Sequence, residues 1–234
     1  MTSPQDLRCP DPDGCPVVVE LPPVPGAWLD AGAPLYRVYS TQWGYDEFNP
    51  GLGDTRFAPF DAAATGARVP TMYLAGDEIG ALLETVFHEV HHQVPRRVYE
   101  KDLRRFGLAH VQVPRRLWLA DLRDPALAAA GVRREQLVST QAEHYPCTRR
   151  VARDLHGQEI DGREVAGLLW HSRQAELLAT PPTEVCVLFG DVAGTGRGSW
   201  VLTGPGVRNL FEGPGRVLVD VLAEQLDATV HPAD

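Results

Sequence analysis

Apolar positions along the 234-residue chain follow two periods, and the switches between them mark the elements. Short runs rich in β-branched and aromatic residues predict strands at "APLYRVYST", "PTMYLAG", "LAHVQV", "LWLADL", "VAGLLWHSR" and "EVCVLFGD". Helical spacing predicts a helix over "EIGALLETVFHEVHHQV", with Asp77 as N-cap and Pro95 as the stop. Ile79, Leu82, Leu83, Val86 and Val90 form its apolar stripe, while Glu84, His88 and His92 form a polar stripe facing solvent or a cleft. Further helices are predicted at "PALAAAG", closed by Gly131, at "YPCTRRVARDLHG", with Pro146 in its first turn, and at "GRVLVDVLAEQLDATV". Strands and helices alternate irregularly, which predicts an α+β fold and not a doubly wound parallel sheet.

The first 32 residues break this pattern. "CPDPDGCP" and "LPPVPGAW" carry prolines and polar groups, so residues 1–32 are expected to form a proline-rich arm over the domain or a partly disordered tail. The globular domain is expected to span residues 33–230. Its composition, 44% hydrophobic and 23% charged, is enough for a sizeable core. A net charge of −9 argues against electrostatic binding to nucleic acid. No apolar run is long enough to span a bilayer, and the N-terminus lacks the basic start and apolar stretch of a secretory signal, so a cytoplasmic protein is expected.

Three sets of residues offer chemistry. His88-Glu89-Val90-His91-His92 matches H-E-x-x-H, in which histidines one helical turn apart hold zinc and the glutamate activates its water. A catalytic zinc needs a third protein ligand, and "QVPRRVYE" offers only Glu100, beyond the helix break at Pro95. Cys147, early in a helix with Arg149 and Arg150 after it and His144 before it, is a candidate thiol nucleophile. Cys9 and Cys15 amount to half a metal site, but no second Cys/His pair follows at zinc-finger spacing, so no metal is expected. Cys186, inside "EVCVLFG", is expected to be a buried small hydrophobe. The third set is scattered: Arg37 in "LYRVYS", Arg56 in "DTRFAPF", Tyr73 in "PTMYLAG", Glu84 on the long helix and Ser172 in "GLLWHSR". Each has an ordinary structural reading as a paired arginine, core tyrosine, solvated glutamate or turn serine.

In this order the five residues resemble the RES domain, a family named for its arginine, glutamate and serine. The resemblance runs from "LYRVYS" through "MYLAGDEIGALLETVFHEV" to "CVLFGD", over roughly residues 33–228. His88, four residues after Glu84, fits a glutamate–histidine spacing common in that family, which turns the H-E-x-x-H match into a by-product of adjacent histidines.

The resemblance implies an ADP-ribosyltransferase-like fold, a curved, split β-sheet with flanking helices. It also implies cleavage of the nicotinamide–ribose bond of NAD+, with ADP-ribose passing to water, phosphate or a protein. NAD+ would be a substrate, with no further cofactor. Arg37 and Arg56 would hold the pyrophosphate, since guanidinium forks match its oxygens. Glu84 would stabilise the ribosyl cation, Tyr73 would lie against nicotinamide, and Ser172 would fix the nicotinamide amide or the ribose. Arg37, Glu84 and Ser172 are the catalytic candidates. The expected partner is a helix-turn-helix (Xre-type) antitoxin, with homodimerisation left open. The alternatives are a non-catalytic NAD+ or ADP-ribose-binding module and the zinc hydrolase.

Overall fold

A computed structural model of the chain describes residues 6–18, 20–88, 90, 94–173, 178, 182–194 and 198–232. Eight strands form one curled sheet: β1 (Gly26–Leu29), β2 (Pro34–Ser40), β3 (Thr71–Ala75), β5 (Phe106–Gln112), β6 (Leu117–Asp121), β9 (Gly167–His171), β10 (Glu184–Phe189) and β11 (Val201–Leu202). Their order is β1-β6-β9-β10-β3-β2-β5-β11. The β6–β9 pair is parallel and the other pairs are antiparallel. Two small pairs lie outside it: β4 (Arg96–Tyr99) with β12 (Ala228–His231), and β7 (Glu159–Ile160) with β8 (Arg163–Glu164). The helices are α1 (Glu78–Leu83), α2 (Glu100–Leu103), α3 (Asp124–Ala129), α4 (Tyr145–His156), α5 (Gly190–Ala193) and α6 (Gly213–Gln225). The architecture is α+β, with the curved, split sheet and flanking helices that the sequence led us to expect.

The central strands are buried on both faces, so they read as unbroken apolar runs. Along β10, Val185, Val187 and Phe189 join one core while Cys186 and Leu188 join the other. Ala81, Leu82 and Leu83 of α1, Val151, Ala152 and Leu155 of α4, and Val219, Leu222 and Ala223 of α6 complete the first core. Phe48, Ala193 and Trp200 help close the second.

The split lies between β2 and β3. Tyr36 stands opposite Ala75, and no further pair joins these strands among the described residues. Residues 37–40 stay paired with β5, and Thr71–Phe189 pairing holds β3 to β10, so the sheet opens between them.

Three expectations need correction. The helix predicted to reach Val94 stops at Leu83. The N–H groups of Thr85, Val86 and Phe87 all turn back onto the Leu82 carbonyl, so the chain coils over one acceptor without advancing. Ile79, assigned to the buried stripe, is 38% exposed, whereas Leu82, Leu83 and Val90 are buried as expected. The closing helix ends before "ATV", which turns at Asp227 (φ 51°) and pairs as β12 alongside β4. Asp77 does cap α1, accepting from the Gly80 N–H at 2.6 Å.

Within the N-terminal segment, β1 extends the sheet edge against β6, and Val17 and Val24 are buried in the first core. No helix among the described residues is long and apolar enough to cross a membrane.

Candidate active site

A cavity of about 460 Å³ opens where β2 and β3 part. Arg37, Arg56, Tyr73 and Glu84 line it, together with His88 and Arg173. Four residues far apart in sequence thus meet around one space of a size suited to a small-molecule ligand. Ser172 is not among the lining residues. It is 2% exposed and stands behind Glu84, donating its hydroxyl to Glu84 Oε1 at 2.5 Å.

Glu84 occupies the C-cap of α1, where its backbone N–H still closes a helical turn on Gly80 while its side chain leaves the helix. His88 follows in the turn and is within 2.9 Å of the Thr85 carbonyl through Nδ1. A neutral His88 that donates there leaves Nε2 as an acceptor. Glu89, His91 and His92 of the H-E-x-x-H match lie outside the described residues.

Tyr73 reaches into the cavity from β3. Its ring packs edge-on against buried Trp170, with centroids 6.1 Å apart. The Thr55 hydroxyl donates to the Ala58 carbonyl at 2.8 Å, which directs the Tyr73 hydroxyl proton onto Thr55 Oγ1, also at 2.8 Å. The Phe57 N–H donates to the Tyr73 oxygen at 3.1 Å. Burial pushes the Tyr73 phenol up from its ordinary value, so it stays a neutral donor.

Both predicted arginines are buried and both brace loops. Arg37 donates to the carbonyls of Tyr45 and, at 2.7 Å, of Glu47, and burial lowers its pKa to about 10, still charged at neutral pH. Arg56 donates to the Thr140 carbonyl at 2.9 Å and the Thr140 hydroxyl at 2.6 Å, with its guanidinium carbon 5.1 Å from the Tyr145 ring centroid. Arg37 therefore spends two donors on the loop after β2, a use that the isolated sequence position does not reveal.

Sequence reasoning missed several residues. Arg173, next to Ser172, lines the cavity and donates to the same Thr140 carbonyl as Arg56, at 2.8 Å. Thr148 and Arg149 of α4 hold the Arg56 loop: Thr148 donates to the Arg56 carbonyl, and Arg149 donates to the Thr55 carbonyl at 2.8 Å and pairs with Asp54. Arg149, two residues after Cys147, thus serves the Arg56 loop. The "NPGLGD" stretch shapes the loop through Gly51 (φ 104°) and Gly53 (φ 88°), a region other residues rarely adopt. Trp43, 43% exposed, stands at the mouth.

The two buried thiols are poor nucleophiles. Cys147 is fully buried, and burial pushes it up to about 12. Cys186 is 2% exposed and is likewise pushed up to about 12, as expected of a small core hydrophobe.

The family model described as "RES domain" matches residues 34–196, most of the chain. The chain belongs to the RES domain family. All five candidate residues fall inside the matched region. Among solved structures, a chain of the M. tuberculosis MbcT–MbcA toxin–antitoxin complex superposes with a TM-score of 0.52 at 17% identity, covering 86% of this chain and 92% of that one. At that identity the likeness shows the fold alone. No curated protein matches. The matched region begins at β2, so β1 and the segment carrying Cys9 and Cys15 lie outside it, while His144 and Cys147 lie within.

Proposed function

We propose that this RES domain binds NAD+ between β2 and β3 and breaks its nicotinamide–ribose bond, acting as the toxin of a toxin–antitoxin pair in the cytoplasm. The observation that carries the enzymatic reading is the placement of Glu84, a carboxylate held by Ser172 in the wall of a cavity that also gathers Arg37, Arg56, Arg173 and Tyr73.

The chemistry suits that set. When the C1′–N bond breaks, its electron pair leaves with nicotinamide, which becomes neutral, and positive charge grows on the ribose. A fixed carboxylate beside that charge stabilises the transition state more than the ground state, where the positive charge still lies on the nicotinamide ring. Ser172 holds Glu84 in one orientation before substrate arrives, so little reorganisation is needed during reaction. The acceptor oxygen then bonds to C1′ and releases its proton. Three buried arginines give an otherwise acidic chain a local positive potential for the pyrophosphate. The Tyr73 ring offers an aromatic edge or face to the nicotinamide.

The toxin role draws support from membership of the RES family and from a fold neighbour that belongs to a toxin–antitoxin complex. A helix-turn-helix antitoxin covering the cavity mouth is the partner this reading expects.

Incubating the purified chain with NAD+ and measuring nicotinamide release tests the enzyme. The second product identifies the acceptor: ADP-ribose for water, a phosphorylated ADP-ribose for phosphate, or a labelled protein. Calorimetric binding of NAD+ without release would replace the enzyme by a non-catalytic binding module. Induced expression in a bacterium should arrest growth with a fall in NAD+; normal growth at good soluble yield with unchanged NAD+ would rule out a free toxin.

A further inference from the structure

Cys9 and Cys15 come together with His144 and Cys147, 129 or more residues away, in a cluster where one ligand atom from each residue lies within 4.8 Å of all the others. The Cys15 and Cys147 sulfurs are 3.6 Å apart, and Cys15 Sγ is 3.8 Å from His144 Nδ1. All four cysteines of the chain are free thiols. A tetrahedral zinc ion with Zn–S bonds of about 2.3 Å and Zn–N bonds of about 2.0 Å sets ligand atoms roughly 3.5–3.8 Å apart along its edges. The Cys15–Cys147 and Cys15–His144 separations lie close to those edges, and a cluster whose ligand atoms all fall within 4.8 Å is too small to enclose an iron–sulfur cluster with its own sulfides.

We propose that Cys9, Cys15, His144 and Cys147 form a closed structural zinc site that fastens the N-terminal segment to the first turn of α4. Three sulfurs and one imidazole are a donor set that favours zinc over magnesium or calcium. Four protein ligands leave no open position, so the site is structural and not catalytic. His144 turns Nε2 towards Glu143 at 3.8 Å, the side from which a carboxylate commonly supports a metal-bound imidazole. Between the first two ligands the chain makes a tight turn, in which the Gly14 N–H donates to Asp11 at 3.1 Å. The second ligand pair does not follow at zinc-finger spacing. It comes instead as H-x-x-C at the start of a distant helix, and the fold supplies the proximity.

The position gives the metal a consequence for the cavity. Tyr145, between two of the ligands, lines the cavity and lies under Arg56, and Thr148 and Arg149, directly after Cys147, hold the Arg56 loop. Zinc would fix the end of α4 from which these contacts start. This inference does not depend on the NAD+ reading, because its readout is metal content.

The test is metal analysis of the full chain purified without chelator or a metal-affinity tag. About one zinc per chain is expected, falling to less than about a tenth of that in Cys9→Ser and Cys15→Ser, whose positions on the surface segment make misfolding less of a concern than at buried Cys147. Cobalt exchanged into the wild-type chain should give the intense visible bands of a tetrahedral, sulfur-rich site. His92→Ala should keep its zinc. The proposal is overturned if the folded wild-type chain takes up neither zinc nor cobalt, if it isolates with a Cys15–Cys147 disulfide or a brown iron chromophore, or if zinc is lost with His92→Ala and kept with Cys15→Ser.

Discussion

The Ser172 hydroxyl donates to Glu84 Oε1 across 2.5 Å, tying the residue after β9 to the residue that ends α1. The contact divides the two roles. Glu84 lines the cavity and Ser172 does not, so under the proposed function Glu84 would face the substrate and Ser172 would position it. Glu84→Gln keeps the shape and deletes the charge. Nicotinamide release should fall by a factor of roughly a hundred or more, in line with the loss of a main electrostatic term. Ser172→Ala should lower kcat by about tenfold with KM nearly unchanged, since it removes one hydrogen bond to a charged group and no substrate contact. A rise in KM at constant kcat would instead put Ser172 in contact with NAD+.

Arg37 and Arg56 each hold a loop while presenting charge to the cavity. Alanine at either should weaken NAD+ binding by roughly tenfold to a hundredfold, the worth of one charge-assisted hydrogen bond of about 1.5–3 kcal/mol. Each should also lower the melting temperature, because the carbonyls of Tyr45 and Glu47, or of Thr140, lose a donor. Lysine should restore part of the affinity, as an ammonium lacks the planar fork. Calorimetry with NAD+ and thermal melts separate the effects, and unchanged affinity in both alanine variants would move the pyrophosphate elsewhere.

The central strands were legible because the fold buries them on two faces, as in "EVCVLFGD" and "PTMYLAG", whereas β1, β4, β7, β8, β11 and β12 are short and partly exposed and leave no such apolar run. The helix after Asp77 is shorter than its apolar pattern. Its apolar spacing continues to Val90, yet Thr85 and Val86 are β-branched and the chain coils over the Leu82 carbonyl just after Glu84, whose side chain meets Ser172, a partner 88 residues away. Periodicity reports which side chains are buried, and Val90 is buried without being on α1. Arg37, Arg56, Tyr73 and Glu84 were found through their order along the chain, since nothing local distinguishes them. Arg173, Thr148 and Arg149 had no such guide: their roles are contacts with backbone carbonyls of loops, which no sequence pattern records.

Alkaline pH should destabilise the fold. The Cys186 thiol ionises near 9 when exposed and is pushed up to about 12 by burial. Between those values the unfolded chain holds fewer protons than the folded one, so stability is full below about pH 9 and declines as pH rises. The loss from this one group is at most about 1.4 kcal/mol per pH unit. Tyr73, also raised by burial, adds to the loss above pH 10, where the lowered Arg37 acts in the opposite sense. Thermal melts at pH 8 to 10 should show the decline, and Cys186→Ala should reduce its slope. An equal slope in that variant would remove Cys186 as a cause.

Tyr73→Phe separates the ring from the hydroxyl. The ring is held edge-on by Trp170 and should keep its place, so any stacking against nicotinamide should survive. The hydroxyl joins β3 to the loop carrying Arg56, through Thr55 Oγ1 and the Phe57 N–H. Its removal leaves a buried N–H without that acceptor, a cost of roughly 1–3 kcal/mol. For a chain of this size that lowers the melting temperature by roughly 2–12 °C. NAD+ affinity should fall in step, because Arg56 loses one support of its loop, while the chemical step at Glu84 should change little at saturating substrate. A variant as stable as wild type whose kcat collapses would mean that the Tyr73 hydroxyl itself takes part in the reaction, and its bonds to Thr55 and Phe57 would then have to open when substrate binds.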